Sequence, residues 1–386
     1  MQNIARPRRL VLALYIASAA LVTVQQGILA HSNNLSIFRS ASRNLFAGRD
    51  LYAAHPEQHV DFYKYSPTFA LLFAPLAYLP FALAFLCWSL LNGLLLWYAL
   101  DRLLPARPAT LALALLYLEV LLALQYGQSN ALVAALMILA FVAFEGRRQL
   151  GAALSVTLGA VVKLFPLAAL SFAAFYPRRP RFGAICIAVL AAAVALPLVA
   201  IPGTDLLAQY LSWHAIEGKD ALLRGYSLMH YAHAWLGVDW PNWPQQASGT
   251  ALLLLPLALR SDRWASLEFR RLFLCSLLVY SVLFNHASES PSFVVAYAGI
   301  VIWYASSPAS GLRTAVMALT LLVMVVHDVD VVPRWVKYDI LVPYRIKGLP
   351  CLVAWFVMQW ELLVAPRSTP QTDPGSFPPP PSKAGA

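Results

Sequence analysis

Apolar runs approaching the ~20 residues that cross a bilayer as a helix alternate with short polar breaks along almost the whole chain. The pattern places apolar segments at roughly 10–30, 66–80, 82–101, 108–124, 128–145, 150–163, 164–176, 182–202, 247–259, 268–285, 291–306, 312–327 and 347–364. Pro75, Pro80, Pro166 and Pro197 punctuate them. Short or broken membrane helices are tolerated where they line a protein-buried or watery cavity. The expected fold is therefore an all-α polytopic membrane protein with roughly 11–13 membrane helices, filling residues 1–365. Residues 366–386, PRSTPQTDPGSFPPPPSKAGA, have no apolar content to bury and are expected to be disordered.

Two polar interruptions are long. The first, 31–66, contains NNLSIFRSASRNLFAGRDLYAAHPEQHVDFYKYSP from Asn33 onward. Leu35, Phe38, Ala41, Leu45 and Phe46 recur at helical spacing, with Arg39 and Arg43 four apart on another face. This predicts a helix lying along a membrane surface with its arginines outward. The second, 203–246, holds Trp213, His214, Glu217, Arg224, Tyr226, His230, His233, Trp235, Trp240 and Trp243. Such aromatics serve as interfacial anchors or, beside carboxylates and amides, as a sugar site.

Charge then orients the chain. Only 12% of the residues are charged and 60% are hydrophobic, against about 25% charged in soluble domains. The net charge of +10 sits largely in short clusters between apolar runs, which is not the pattern of a nucleic-acid binder. Arg6, Arg8 and Arg9 precede the first span. Arg102, Arg107, Arg147, Arg148, Arg178, Arg179, Arg181, Arg260, Arg263, Arg270 and Arg271 fall in connections. Placing all of these inside follows the positive-inside tendency and makes 66–101 a single net crossing. The remaining polar stretches then share the opposite face. They are 31–66, the QYGQSN turn at 125–130, Lys163, 203–246, the NHASES turn at 285–290, and 327–347. One extracytoplasmic site roofed by several loops is the expectation.

Several residues are candidates for chemistry there. Lys163, between two apolar segments in LGAVVKLFP, must snorkel or meet an anion. Ser129 or Asn130 is placed to cap the helix that follows Gly127, and a helix start beside Gln128 also favours an anion. His286 and Glu289, three apart, are expected to face one another across a turn. Asp328, Asp330, Arg334 and Lys337 form a mixed cluster with Arg345 just beyond. His230 and His233 have no carboxylate or cysteine nearby to complete a metal set. Cys87, Cys186, Cys275 and Cys351 show no CxxC spacing and read as core residues. There is no Gly-rich phosphate loop, nucleophile elbow or HExxH.

The order of GRDLY, FYKYSPTFALLFAPLAYLP, YGQSNALVAALMILA and GAALSVTLGAVVKLFPL resembles the family-87 glycosyltransferases, bacterial integral membrane enzymes of the GT-C fold, over roughly residues 10–306. Ser227 with Leu228, and the NHASESP turn, resemble its later polar positions. The resemblance implies a polyprenyl-phosphate sugar as donor, often mannose, and a glycan or lipid acceptor at a bacterial inner membrane. It implies inversion at the anomeric carbon, no cofactor and no metal, and an aspartate base in the first outer loop. Counting back from Gly48 and Ala41, that position is Asn34, which cannot accept a proton from a sugar hydroxyl at neutral pH. Asp61 is then the first choice of base, with Asp50, Glu57 and the later Glu289 as alternatives. Arg39, Lys64, Tyr65, Gln128, Asn130, Lys163, Arg224, His230 and His286 are the expected substrate contacts. The rival readings are a non-catalytic relative and a transporter, although no second copy of FYKYSP or KLFP marks a repeat.

Overall fold

The computed structural model describes residues 2–175, 179–308 and 310–364, with side chains from residue 6. The proline-rich tail at 366–386 lies outside the described residues. The helices are α1 (Gln2–Val22, extended by a π-helical turn to Leu29), α2 (Asn33–Phe46), α3 (Pro67–Leu72), α4 (Ala74–Ala77), α5 (Phe81–Leu103), α6 (Ala106–Gln125), α7 (Asn130–Glu145) and α8 (Gln149–Val162). A 3-10 stretch, Phe165–Phe175, leads to α9 (Arg179–Ala195), α10 (Gly203–Asp220), α11 (Leu228–Leu236), α12 (Asn242–Leu259), α13 (Leu267–Leu283), α14 (Phe293–Ala305), α15 (Gly311–Asp328) and α16 (Leu349–Val364). No strand occurs among the described residues.

Six helical segments are long and apolar enough to cross a membrane: Arg6–Leu29, Phe81–Leu103, Ala106–Gln125, Arg179–Val199, Gly311–Asp328 and Ile346–Val364. Four more, Asn130–Glu145, Gln149–Val162, Phe165–Phe175 and Ser290–Ala305, are apolar but shorter. Burial explains the difference for two of them. α7 and α14 are enclosed on nearly every side by other helices, so protein rather than lipid satisfies their ends. α9 presents most of its apolar surface outward, with Phe182 its one buried residue, as a lipid-facing helix does.

The bundle has two chemically distinct ends. At one, arginines tie helix ends together. Arg8 meets Asp101 at 2.6 Å, Arg270 meets Glu145 at 2.6 Å, and Arg313 meets Glu361 at 2.9 Å. At the other end, all six polar stretches contribute to one cavity. Between α2 and α5 the chain stays at the cavity end. α3 and α4 span six and four residues and cannot cross, and Ala82 and Phe85 return beside Gly27.

Three local expectations are corrected. The arginines of α2 do not point outward, and its apolar face packs against protein. Its Phe38 ring packs against Phe69, Phe73 and Trp88. Arg39 is buried, donates to the Leu79 carbonyl at 2.8 Å and lies over Phe81, while Arg43 donates to the Ala77 carbonyl at 2.8 Å. Both guanidiniums thus satisfy carbonyls left open where α4 ends. The helix start at Asn130 is not capped by Ser129 or Asn130. Asn92 of α5 supplies the oxygen, accepting from the Leu132 N–H at 3.0 Å. The stretch 203–246 is not one loop, since it holds α10, α11 and the first turn of α12.

Candidate active site

The cavity at the polar end has a volume of about 740 Å³. Its walls come from the start of α2, the loop 47–66, the Gln128 turn, the end of α8, the α10–α11 region, the 285–289 turn and Arg345. Two glycines let these pieces approach. Gly127 has φ +62°, and a Cβ there would press on Ser32 and Phe85. Gly225 has φ +41°, and a Cβ would run into the backbone of Ser288; Tyr226 N–H instead donates to the Ser288 carbonyl at 3.0 Å.

The loop 47–66 is fixed from both sides. Gln209 of α10 accepts from Leu51 N–H at 2.9 Å and donates to the Arg49 carbonyl at 3.0 Å. Tyr52 hydroxyl donates to the Tyr65 carbonyl at 2.7 Å, and Ser66 hydroxyl to the Val161 carbonyl at 2.6 Å. The loop thereby presents Asp61, Phe62, Lys64 and Tyr65 to the cavity. Asp61 accepts the Phe62 N–H at 2.7 Å, and no described cation lies within 4.0 Å of its carboxylate. Lys64 pairs instead with Asp220 at 2.9 Å. Burial works to lower the Lys64 ammonium, but the Asp220 carboxylate outweighs it and holds it above the usual lysine range.

α10 contributes Trp213, Glu217 and Asp220. Trp213 donates to the Lys64 carbonyl and to Glu217, each at 3.2 Å. Burial raises the Glu217 carboxyl above its ordinary value. Arg224 also lines the cavity, but its guanidinium is tied to Asp239 at 2.6 Å. His230 reaches the Pro343 carbonyl at 3.2 Å.

His286 and Glu289 do not pair. Gln246 donates to His286 Nδ1 at 3.0 Å and to the Phe284 carbonyl at 3.2 Å, so the imidazole proton sits on Nε2. Burial lowers the His286 ring below its ordinary value, which agrees with that neutral form. Glu289 accepts from Gln128 at 3.0 Å and from the Ser292 backbone N–H. It therefore holds the 128 and 289 turns together. Lys163 ends α8 and faces the cavity. No carboxylate of the described residues lies within 4.0 Å of its ammonium, and the charge nearest in effect is Glu289.

The cavity thus collects Asp61, Glu289, Lys64, Tyr65, Gln128, Lys163, Arg224, His230 and His286 from the expected site residues. Arg39, Asp50 and Asn130 are elsewhere. Asp50 accepts from Tyr52 N–H and Ser212 hydroxyl. Asn130 is fully buried at the first turn of α7. Asp220, Gln246 and Arg345 line the cavity without having been assigned a role from sequence. One signal for Asp220 was present, because Trp213, Glu217 and Asp220 fall at i, i+4 and i+7 on one helix face.

An all-helical polytopic membrane protein with one end given to a polar cavity is the class that these features define. Residues 62–327 match glycosyltransferase family 87, and the chain belongs to that family. The match begins at Phe62 and runs past the 306 expected from motif order, so Asn34 and Asp61 precede it. A search of curated proteins finds no match.

Proposed function

We propose that this chain is an inverting hexosyltransferase that moves mannose by preference from a polyprenyl-phosphate sugar to a lipid-linked or polysaccharide acceptor. One observation carries the reading. Asp61, with no cation within 4.0 Å, and Lys163, with no carboxylate within 4.0 Å, line the same cavity among the described residues. A base and a cation are thus both uncommitted, while Lys64 and Arg224 already hold carboxylates.

Asp61 takes the proton of the acceptor hydroxyl as that oxygen attacks the anomeric carbon. Attack comes from the face opposite the phosphate. The bond from carbon to phosphate oxygen breaks with its electron pair, and the sugar inverts. Lys163 stabilises the charge that grows on the departing polyprenyl phosphate. Trp213 and Phe62 offer flat surfaces for a sugar ring, and Gln128, His286 and Gln246 offer hydrogen bonds. Lys64 acts through Asp220 by holding the base-bearing loop in place. The clustered arginines at the far end favour the cytoplasm, which supports a cavity on the non-cytoplasmic face; the bacterial inner membrane is the location that the family resemblance implies.

The test is transfer of labelled mannose from a polyprenyl-phosphate mannose in reconstituted vesicles, with mass spectrometry of lipid-linked glycans from cells with and without the gene. A glycan that loses one hexose on deletion supports the reading. An unchanged glycan profile with no transfer in vesicles overturns it.

A further inference from the structure

Arg345 lies beyond the family-matched residues, yet it reaches the same cavity. Its backbone is left-handed, with φ +53°, a conformation that costs a long side chain and persists only when its surroundings impose it. Those surroundings are explicit. Tyr231 hydroxyl donates to the Arg345 carbonyl at 2.5 Å, and Gly348 N–H donates to it at 3.0 Å. Gly348 has no side chain because that hydroxyl occupies the place a Cβ would take.

Two residues on, Lys347 is driven into the bundle. Its ammonium meets Glu119 of α6 at 2.9 Å and Asp328 of α15 at 2.7 Å, all but fully enclosed. It also donates to Ser290 at 3.2 Å, next to Glu289. The buried lysine therefore fixes the Arg345 backbone and the 285–292 turn relative to one another. Burying a charge so deeply is costly unless it is paired, so its position is not adjustable.

What this framework holds out is a guanidinium without an anion. It lies 4.5 Å over the Tyr226 ring, and its Nε is buried with no hydrogen-bond partner. No described carboxylate lies within 4.0 Å of it. A planar fork of donors on a rigid mount, facing a cavity with another uncommitted cation, suits a phosphate group.

We infer that Arg345 binds the phosphate of the lipid-linked donor in the cavity that Lys163 also lines. The inference rests on the proposed donor and adds a second cation to it, supplied from outside the matched region. As the phosphodiester becomes a monoester on release of the sugar, it gains negative charge, and a forked donor holds the leaving group at that moment.

The probe is a short-chain polyprenyl monophosphate, the leaving group of the proposed reaction, titrated against the purified full-length protein. Arg345→Gly removes the guanidinium and suits the left-handed backbone, so the variant is expected to melt no lower than wild type. Arg345→Asn, which also tolerates that conformation, serves as the second variant. Both are expected to bind the probe about 10- to 100-fold more weakly, with Arg345→Lys between them and wild type. Undiminished binding by the glycine and asparagine variants overturns this inference alone. A wild type that binds no polyprenyl monophosphate overturns it together with the proposed function. Equal affinity for inorganic phosphate means that a free anion is what Arg345 recognises, and overturns the donor assignment.

Discussion

The Lys64 ammonium lies 2.9 Å from a carboxylate oxygen of Asp220, and this contact closes the first polar loop against α10. The pair is partly exposed, so its direct contribution to stability is about 1 kcal/mol or less after solvent screening. Its value is positional, because Asp61 sits three residues before Lys64. Asp220→Asn is expected to lower turnover severalfold while shifting Tm only slightly. The raised Lys64 value means that whatever stability the pair gives is present below the ordinary lysine pKa, about 10.5, and is lost as pH rises through the folded value. Tm measured from pH 6 to 9 should show no step from this pair. A step in that range that disappears in Asp220→Asn contradicts the assignment.

Asp61→Asn tests the base. Turnover is expected to fall by about 10²–10⁴-fold with donor binding unchanged. Glu289→Gln is expected to act differently. Its carboxylate holds Gln128 and the Ser292 N–H, so its loss should lower Tm as well as turnover. An active Asp61→Asn beside an inactive, normally folded Glu289→Gln would move the base to the later turn.

Lys163→Met tests the cation on the family-matched wall. Its ammonium has no described carboxylate within 4.0 Å to leave stranded, so the variant should fold. Loss of a charge-assisted contact of roughly 1.5–3 kcal/mol predicts donor affinity weakened about tenfold or more. Unaltered donor affinity would return Lys163 to a snorkelling role.

His286 makes the protein sensitive to mild acid. Burial lowers its pKa below the unfolded value of about 6.5. A depressed histidine contributes stability above the unfolded pKa and loses it as pH falls through the folded one. Protonation at Nδ1 also breaks the acceptance from Gln246. Between pH 7.5 and 5.5, wild type should lose more Tm than His286→Asn does. Parallel curves for the two proteins would show that His286 does not carry this dependence.

Orientation is checked by labelling. Val60 is 93% exposed on the first polar loop. With Cys87 and Cys186 replaced by alanine, Val60→Cys should react with an impermeant thiol reagent in cells whose outer membrane has been opened. Reaction only after lysis would place the cavity in the cytoplasm.

The all-helical membrane character was legible because a bilayer demands long apolar helices whatever their neighbours. The apolar pattern predicts roughly 11–13 membrane helices, whereas six segments among the described residues are long and apolar enough to cross. The arginine clusters separated the two ends. What the sequence did not disclose depends on packing between distant segments. Arg39 looked outward by helical periodicity, but α4 ends beneath it and draws it inward. The α7 cap came from Asn92, on a different helix. Asp220 carries no motif, and its meaning appears only when α10 lies beside Lys64. Within the cavity, Lys163 and Gln128 were readable as polar residues beside the ends of apolar runs, and Asp61 as a carboxylate of the first polar stretch. Arg345 was visible as a charge, whereas the backbone twist that aims it was not.

Asn34 now stands in a different light. Its amide nitrogen donates to the Tyr126 carbonyl at 2.7 Å, clasping the start of α2 to the turn that presents Gln128. Aspartate, the residue that the family resemblance calls for here, has no proton to give at neutral pH and would set oxygen against oxygen. An aspartate at this position would therefore lose the bond that joins the start of α2 to the Gln128 turn. With the amide engaged as this clasp, position 34 serves to join two segments of the cavity wall, and in the mechanism proposed above proton transfer falls instead to Asp61, whose carboxylate accepts the neighbouring Phe62 N–H.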